Sequence, residues 1–90
     1  MSVELFLNKY PYLNNYLDKI IAYIESYPFE PVYLEYYYDV DECWDKLFVN
    51  IRTGIDDINH LMDLEEYIYE NCYYNLPDNV RNKISLSVMW

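Results

Sequence analysis

The chain has very little glycine and histidine, and each shortage excludes a class of function. Its one glycine, Gly54, cannot supply the glycine-rich loops with which P-loop proteins and dinucleotide-binding domains hold phosphate groups. Its one histidine, His60, has no serine or cysteine near it in sequence with an acidic partner at a suggestive spacing, so no nucleophilic catalytic group is indicated. We therefore predict a protein that is not an enzyme and that carries no cofactor.

Cysteine and long apolar runs are also scarce. Cys43 and Cys72 lie far apart, with no C-x-x-C motif and no histidine-rich neighbourhood, which argues against a zinc site or a redox pair. The first residues have no basic segment followed by an apolar one, as a signal peptide does, and no apolar run approaches the length of a membrane span. We expect a cytoplasmic protein with free thiols and no membrane partner.

Positive charge is the third shortage, since 16 acidic residues stand against six basic ones and the formal net charge is −10. Such a chain repels nucleic-acid phosphates and anionic membranes and favours basic partners. We expect a basic protein surface as the partner, and no direct nucleic-acid contact. The alternative is that the acidic surface only keeps a small protein soluble.

Aromatic and aliphatic residues are plentiful by contrast. Hydrophobic residues make up 53% of the 90 positions, with 13 tyrosines among them, which is enough apolar mass for one core without disulfides. No repeat, charge block or low-complexity segment divides the chain. We predict one domain over residues 1–90.

Two stretches have the apolar spacing of helices, predicted over residues 11–27 and 56–72. Pro11 suits a first turn and Pro28 ends the first helix, while Asp56 and Asp57 place negative charge at the start of the second. Residues 1–10 leave two alternatives open, a separate short helical turn or a kinked continuation of the first helix.

Three stretches alternate as strands do, over residues 32–38, 47–52 and 84–90, and the first two form a hairpin through the polar loop 39–45. The element order α-β-β-α-β predicts an α+β fold of two layers, in which both helices pack on one face of a three-stranded sheet. Arg52 and Lys83 are expected to flank Glu35 from either side, which places the first strand in the middle. The predicted sheet is therefore antiparallel with strand order 2-1-3.

Acidic residues without basic neighbours are the main candidates for binding a partner. No lysine or arginine lies between Arg52 and Arg81, so the acids of the second helix lack the ion pairs that normally relieve their repulsion. The hairpin loop adds further carboxylates. The predicted partner-binding acids are Asp39, Asp41, Glu42, Asp45, Asp56, Asp57, Asp63, Glu66 and Glu70. The alternative is an ordinary solvated charged face.

The same hairpin loop is the one stretch dense enough in carboxylates to raise a metal hypothesis. An EF-hand needs glycine at its sixth position and a bidentate glutamate at its twelfth, and this chain has Trp44 and Asn50 there. We predict no metal site.

A second candidate surface is the far side of the sheet, where aromatic side chains would lie open beside charged ones. An open aromatic sheet can stack single-stranded bases, but such sheets need a positive field that this chain lacks. We therefore expect a protein interface, with another chain or with a second copy. Its predicted residues are Tyr33, Glu35, Tyr37, Phe48 and Arg52.

Together these features predict a small inhibitor or antitoxin-like protein whose acidic helix and loop bind the basic face of a nucleic-acid-handling protein. In size and charge the chain resembles phage-encoded anti-CRISPR and DNA-mimic proteins; the resemblance is compositional and covers no motif. The alternative is a structural or assembly subunit that dimerises or docks through the aromatic sheet face.

Overall fold

The structure is a computed structural model that describes residues 2–90. Its helices and strands in chain order are α1 (Val3–Lys9), α2 (Leu13–Glu25), β1 (Tyr33–Asp39), β2 (Trp44–Arg52), α3 (Ile58–Cys72), α4 (Asp78–Arg81) and β3 (Ile84–Met89). No helix within residues 2–90 is both long enough and apolar enough to cross a membrane.

The first residues form a separate helix, which decides between the two alternatives left by the sequence. The Ser2 side chain accepts a hydrogen bond from the N–H of Leu5 and caps the start of α1. The helix ends at Tyr10, whose φ of −124° and ψ of 67° lie outside the helical region. Pro11 explains this end, because a proline ring disfavours the helical conformation in the residue before it.

The three strands form a mixed sheet in the order β1-β2-β3, so the predicted order 2-1-3 and the wholly antiparallel pairing are wrong. β1 pairs antiparallel with β2, and β2 pairs parallel with β3. A parallel pair needs a long crossover connection, and the segment containing α3 and α4 provides it. The α+β class is confirmed.

Burial explains why β2 is central. Leu47, Val49 and Ile51 are fully buried, whereas every residue of β1 keeps at least partial exposure. Glu35 lies opposite Phe48, so the expected cross-strand contacts that placed β1 in the middle do not form. Tyrosine tolerates a half-exposed edge position, so the tyrosines of β1 are compatible with its place at the edge.

One buried cluster contains side chains from the helices and from alternate positions of β2 and β3, which share one side of the sheet. Its buried side chains are Phe6, Leu13, Leu17, Ile20, Ile24, Leu47, Val49, Ile51, Ile68, Val80, Ile84 and Leu86. The strand members alternate along β2 and β3, as the sequence pattern predicts. We call this the core-facing side of the sheet; the intervening positions form the far side.

Two hydroxyl groups of α3 and its C-cap contact the outer edge of β3. Tyr69 donates to the carbonyl of Leu86 at 2.7 Å, and Tyr73 donates to the carbonyl of Ile84 at 2.8 Å. Burial raises the pKa of Tyr69 to about 12, so its hydroxyl remains a donor at neutral pH. These bonds satisfy strand carbonyls that would otherwise stay unpaired.

Candidate functional site

The tip of the β1–β2 hairpin carries three of the predicted acids. Oδ1 of Asp39 accepts hydrogen bonds from the N–H groups of Asp41 and Glu42, each at 3.0 Å, so this carboxylate holds the turn. Asp41 and Glu42 are exposed, and neither forms a salt bridge within residues 2–90. Cys43 closes the turn with a φ of 56°, a conformation that usually takes glycine or asparagine. The tip therefore offers two free carboxylates.

Asp45 does not belong to this exposed loop, and its predicted place there is wrong. It is the second residue of β2, lies on the core-facing side and is only 4% exposed. Lys83 donates to its Oδ1 at 2.8 Å, and Lys9 lies 3.6 Å from its Oδ2. Tyr10 and Tyr36 also donate to this carboxylate, each at 3.3 Å. We call these five residues the Asp45 cluster.

The pKa shifts of Asp45 and Lys83 favour the charged form of each. Burial by itself would raise the pKa of Asp45, but the hydrogen bond and charge of Lys83, together with Lys9 and Tyr36, lower it below its ordinary value. Burial would lower the pKa of Lys83, and its bonds to Asp45 and Tyr10 raise it instead. A charged lysine is a poor nucleophile. The geometry instead indicates salt bridges that connect α1 and the residue before β3 to β2.

The two acids before α3 are placed differently from each other. Asp57 is the N-cap residue, and its Oδ1 accepts from the N–H groups of Asn59 at 3.0 Å and His60 at 3.4 Å. This bond satisfies helix donors that have no partner within the helix. Asp56 is exposed and has neither a cap role nor a salt bridge within the described chain.

Three acids of α3 share one outward row. Asp63, Glu66 and Glu70 follow one another at three- and four-residue spacing, and all are exposed. None of them forms a salt bridge; the salt bridges of residues 2–90 are Lys9–Asp45, Lys83–Asp45 and Arg81–Asp78. We call Asp63, Glu66 and Glu70 the acidic stripe.

The far side of the sheet brings four of the five predicted interface residues together. Tyr33 and Glu35 lie opposite Asn50 and Phe48, and the ring of Tyr37 packs edge-on against Phe48 with centroids 5.8 Å apart. Arg52 lies on the same side but pairs with Met89 of β3, beyond the end of β1. The structure therefore separates Arg52 from the aromatic group.

Trp44 and Lys46 also belong to the far side, although the sequence placed Trp44 in the loop. The Trp44 ring lies 5.6 Å from that of Tyr37, and it is exposed. Nζ of Lys46 lies 5.9 Å from the Trp44 ring and donates to Ser85 at 2.9 Å. Counting back from Phe48 by every second residue, which keeps to the same side of a strand, leads to Lys46 and Trp44 and would have identified both. We call Trp44, Tyr37 and Phe48 the aromatic row.

Asn50 is the second buried polar residue of the described chain, 4% exposed, and its Nδ2 has no hydrogen-bond partner there. It lies between Tyr33 of β1 and Ser87 of β3 on the far side. An unpaired buried amide costs free energy, so Asn50 is a destabilising feature of β2.

A groove of about 270 Å³ lies between α2 and α3, lined by Tyr16, Lys19, Ile20, Tyr23, Asn71, Cys72, Asn75 and Leu76. Burial raises the pKa of the Cys72 thiol to about 11, so the thiolate is scarce at neutral pH and the residue is a poor nucleophile.

Within residues 2–90, no group of three or more histidine, cysteine or carboxylate side chains is arranged to hold a metal ion.

Comparisons of the chain with models of protein families, with curated proteins and with solved structures find no match.

Proposed function

We propose that the protein is a non-enzymatic inhibitor or antitoxin-like protein, whose acidic stripe binds the basic face of a nucleic-acid-handling protein in the cytoplasm. The observation that carries this proposal is the stripe itself, three exposed carboxylates on one helix with no salt bridge in the described chain. A fixed row of negative charge attracts a basic surface and aligns it as the two proteins meet.

The spacing of the stripe supports this reading. A helix rises about 1.5 Å per residue, so the axial separations are about 4.5 Å from Asp63 to Glu66 and about 6 Å from Glu66 to Glu70. Charges a few ångströms apart along a rigid rod resemble the regular phosphate charges that a nucleic-acid-binding groove recognises. The free carboxylates Asp41 and Glu42 form a second acidic group at the hairpin tip.

The placement of the basic residues leaves the stripe uncompensated. Lys9 and Lys83 bind Asp45, and Arg81 binds Asp78, so these three form the salt bridges of the described chain. Lys46 lies on the far side of the sheet against Ser85 and Trp44. Lys19 and Arg52 are exposed, and within residues 2–90 neither forms a salt bridge with the stripe.

The test compares two variants with the same net charge. The stripe variant is Asp63→Asn, Glu66→Gln, Glu70→Gln; the control is Glu4→Gln, Asp18→Asn, Glu25→Gln, which removes three exposed helical acids elsewhere. Partners are captured from extracts of the native host. Their affinities for both variants are then measured between about 50 and 500 mM salt, a range that changes the Debye length roughly threefold.

We expect the stripe variant to lose about tenfold or more in affinity, since three charge contacts of a few tenths to one kcal/mol each are removed. The control should lose much less, and wild-type binding should weaken as salt rises. Equal losses in both variants, or binding that salt leaves unchanged, would reject the stripe as the binding surface.

A second candidate function is that of an assembly subunit that docks on a neighbouring chain through the aromatic row. The exposed Trp44 beside Tyr37 favours it, since tryptophan and tyrosine often dominate binding energy at interfaces. This function requires the two-layer arrangement expected from the sequence, in which the helices leave one sheet face open.

The second candidate is tested by Trp44→Ala, with Tyr67→Ala on the exposed part of α3 as the control. Loss of a co-purifying partner with Trp44→Ala alone would support docking through the aromatic row. Retention of that partner by both variants would remove this function.

A further inference from the structure

The backbone of β1 has one side that faces away from the sheet. The N–H of Leu47 donates to the carbonyl of Lys83 at 2.8 Å and so points toward β3. In an antiparallel pair, residues alternate between those that bond to the partner strand and those that point away. Tyr36, which is paired with Leu47, therefore directs its N–H and C=O outward, as do Leu34 and Tyr38.

These outward groups of Leu34, Tyr36 and Tyr38 have no hydrogen-bond partner within residues 2–90 outside the sheet itself. The other edge of the sheet differs, because Tyr69 and Tyr73 bind the carbonyls of β3. β1 also has no proline or lysine in its sequence YLEYYYD, two of the usual devices that keep edge strands from pairing. The sheet thus has one open edge.

We propose that a second copy of the chain adds its β1 to this edge, antiparallel, to form a continuous six-stranded sheet. A two-fold axis makes one strand complementary to itself, because each outward N–H meets an outward C=O of the other copy. This interface is separate from the acidic stripe and does not depend on the function proposed above.

The charges of β1 exclude two registers. A two-fold axis at Glu35 would place Glu35 opposite its own copy, and an axis at Tyr37 would place Glu35 opposite Asp39, both of which are like-charge pairs. An axis at Tyr36 avoids both. It places Glu35 opposite Tyr37 and Asp39 opposite Tyr33, so each acid faces a tyrosine.

The Tyr36 register also uses every open backbone group. Tyr36 would bond its own copy, and Leu34 would bond Tyr38 of the other copy in both directions, giving about six new hydrogen bonds. The far-side tyrosines of both copies would become neighbours across the joint. This self-complementarity is the reason to assign a second copy to the edge in preference to a strand of a different protein.

The first experiment measures the monomer–dimer equilibrium by sedimentation for the wild type, Tyr38→Pro and Tyr38→Thr. Both substitutions remove the exposed Tyr38 side chain, but only proline also removes the outward N–H. An edge strand tolerates proline at a residue whose N–H points away from the sheet. We expect Tyr38→Pro to raise the dissociation constant about tenfold or more relative to Tyr38→Thr.

The second experiment tests the register with single cysteines in a Cys43→Ser background, since Cys43 is an exposed thiol. Mild oxidation of Glu35→Cys mixed with Tyr37→Cys should give a crosslinked heterodimer, and each variant alone should crosslink much less. Efficient crosslinking of Glu35→Cys with itself would contradict the axis at Tyr36.

Ionic strength separates this proposal from the acidic-stripe function. Two copies that each carry a formal charge of −10 repel, so salt should strengthen the dimer while it weakens binding to a basic partner. The proposal is overturned if the chain stays monomeric at high salt up to about millimolar concentration. At that concentration even a dimer with a binding free energy of only about 4 kcal/mol would be detected. A dimer that Tyr38→Pro and Tyr38→Thr weaken equally also overturns the proposal.

Discussion

The carboxylate of Asp45 and those of the acidic stripe show how differently one residue type is used within the same acidic chain. Asp45 is 4% exposed and is surrounded by Lys9, Lys83, Tyr10 and Tyr36. The stripe residues are exposed and carry no salt bridge in the described part of the chain. Net charge alone therefore does not reveal which acids hold the fold together and which remain available to a partner.

Removing the buried carboxylate of Asp45 is expected to have the largest effect on stability. Asp45→Ala would leave the half-buried Lys83 without its counter-charge and should lower the free energy of unfolding by about 3 kcal/mol. This is the low end of the range for breaking a buried ion pair, because Lys9 remains solvated. Urea titration measures this. Asp63→Ala is the control and should change stability by less than about 0.5 kcal/mol.

Acid should remove the same contribution reversibly. The pKa of Asp45 is lower in the folded chain than its ordinary value of 3.8, so its stabilising effect is complete above that value and is lost as pH falls through the folded pKa. Asp45→Asn should cost about 2 kcal/mol at pH 7, because bonds to a charged acceptor are lost.

The difference between the wild type and Asp45→Asn should then shrink as the pH falls below about 4. Thermal unfolding at several pH values measures it. A gap that stays constant from pH 7 down to pH 2 would mean that folding does not lower the pKa of Asp45.

Asp57 is intermediate between Asp45 and the acidic stripe, because it is exposed but has a structural role. Asp57→Ala removes the N-cap of α3 and should lower the free energy of unfolding by about 1 kcal/mol. Asp57→Ser, which retains a capping oxygen, should restore most of it. Similar values for Asp56→Ala and Asp57→Ala would contradict the assigned cap.

The smallest effect on stability is expected from the stripe variant that tests the proposed function. Removing the like-charge contact between Glu66 and Glu70 should raise the free energy of unfolding by up to about 0.5 kcal/mol. Loss of partner binding would then coincide with unchanged or better stability, so unfolding could not explain it. A clear loss of stability would show that the stripe has a role within the fold.

The local elements were predictable from sequence where one periodic pattern dominates. α2 follows its apolar stripe, and the helix predicted over residues 56–72 appears as α3, Ile58–Cys72. The strand order was not predictable in this way, because it depends on which strand the helices bury. The tyrosines of β1 satisfy a strand pattern equally well in a central or an edge position.

The candidate site shows the same limit. The stripe is readable because its residues are local in sequence, whereas the Asp45 cluster joins Lys9 to Lys83 across most of the chain. The polar neighbours Asp41 and Glu42 predict a loop position for Asp45. The alternation of Leu47, Val49 and Ile51 extends back to Asp45, and that was the available signal for its inward position.

The hydroxyls of Tyr69 and Tyr73 have a consequence for how far an assembly could grow. A sheet with two open edges can add chains without end and form a filament, whereas this sheet has one edge blocked by its own helix. If β1 adds to a second copy as proposed, each molecule can join only one other, and strand addition stops at a pair. Under that proposal, phenylalanine at positions 69 and 73 would release both carbonyls and favour growth beyond a pair.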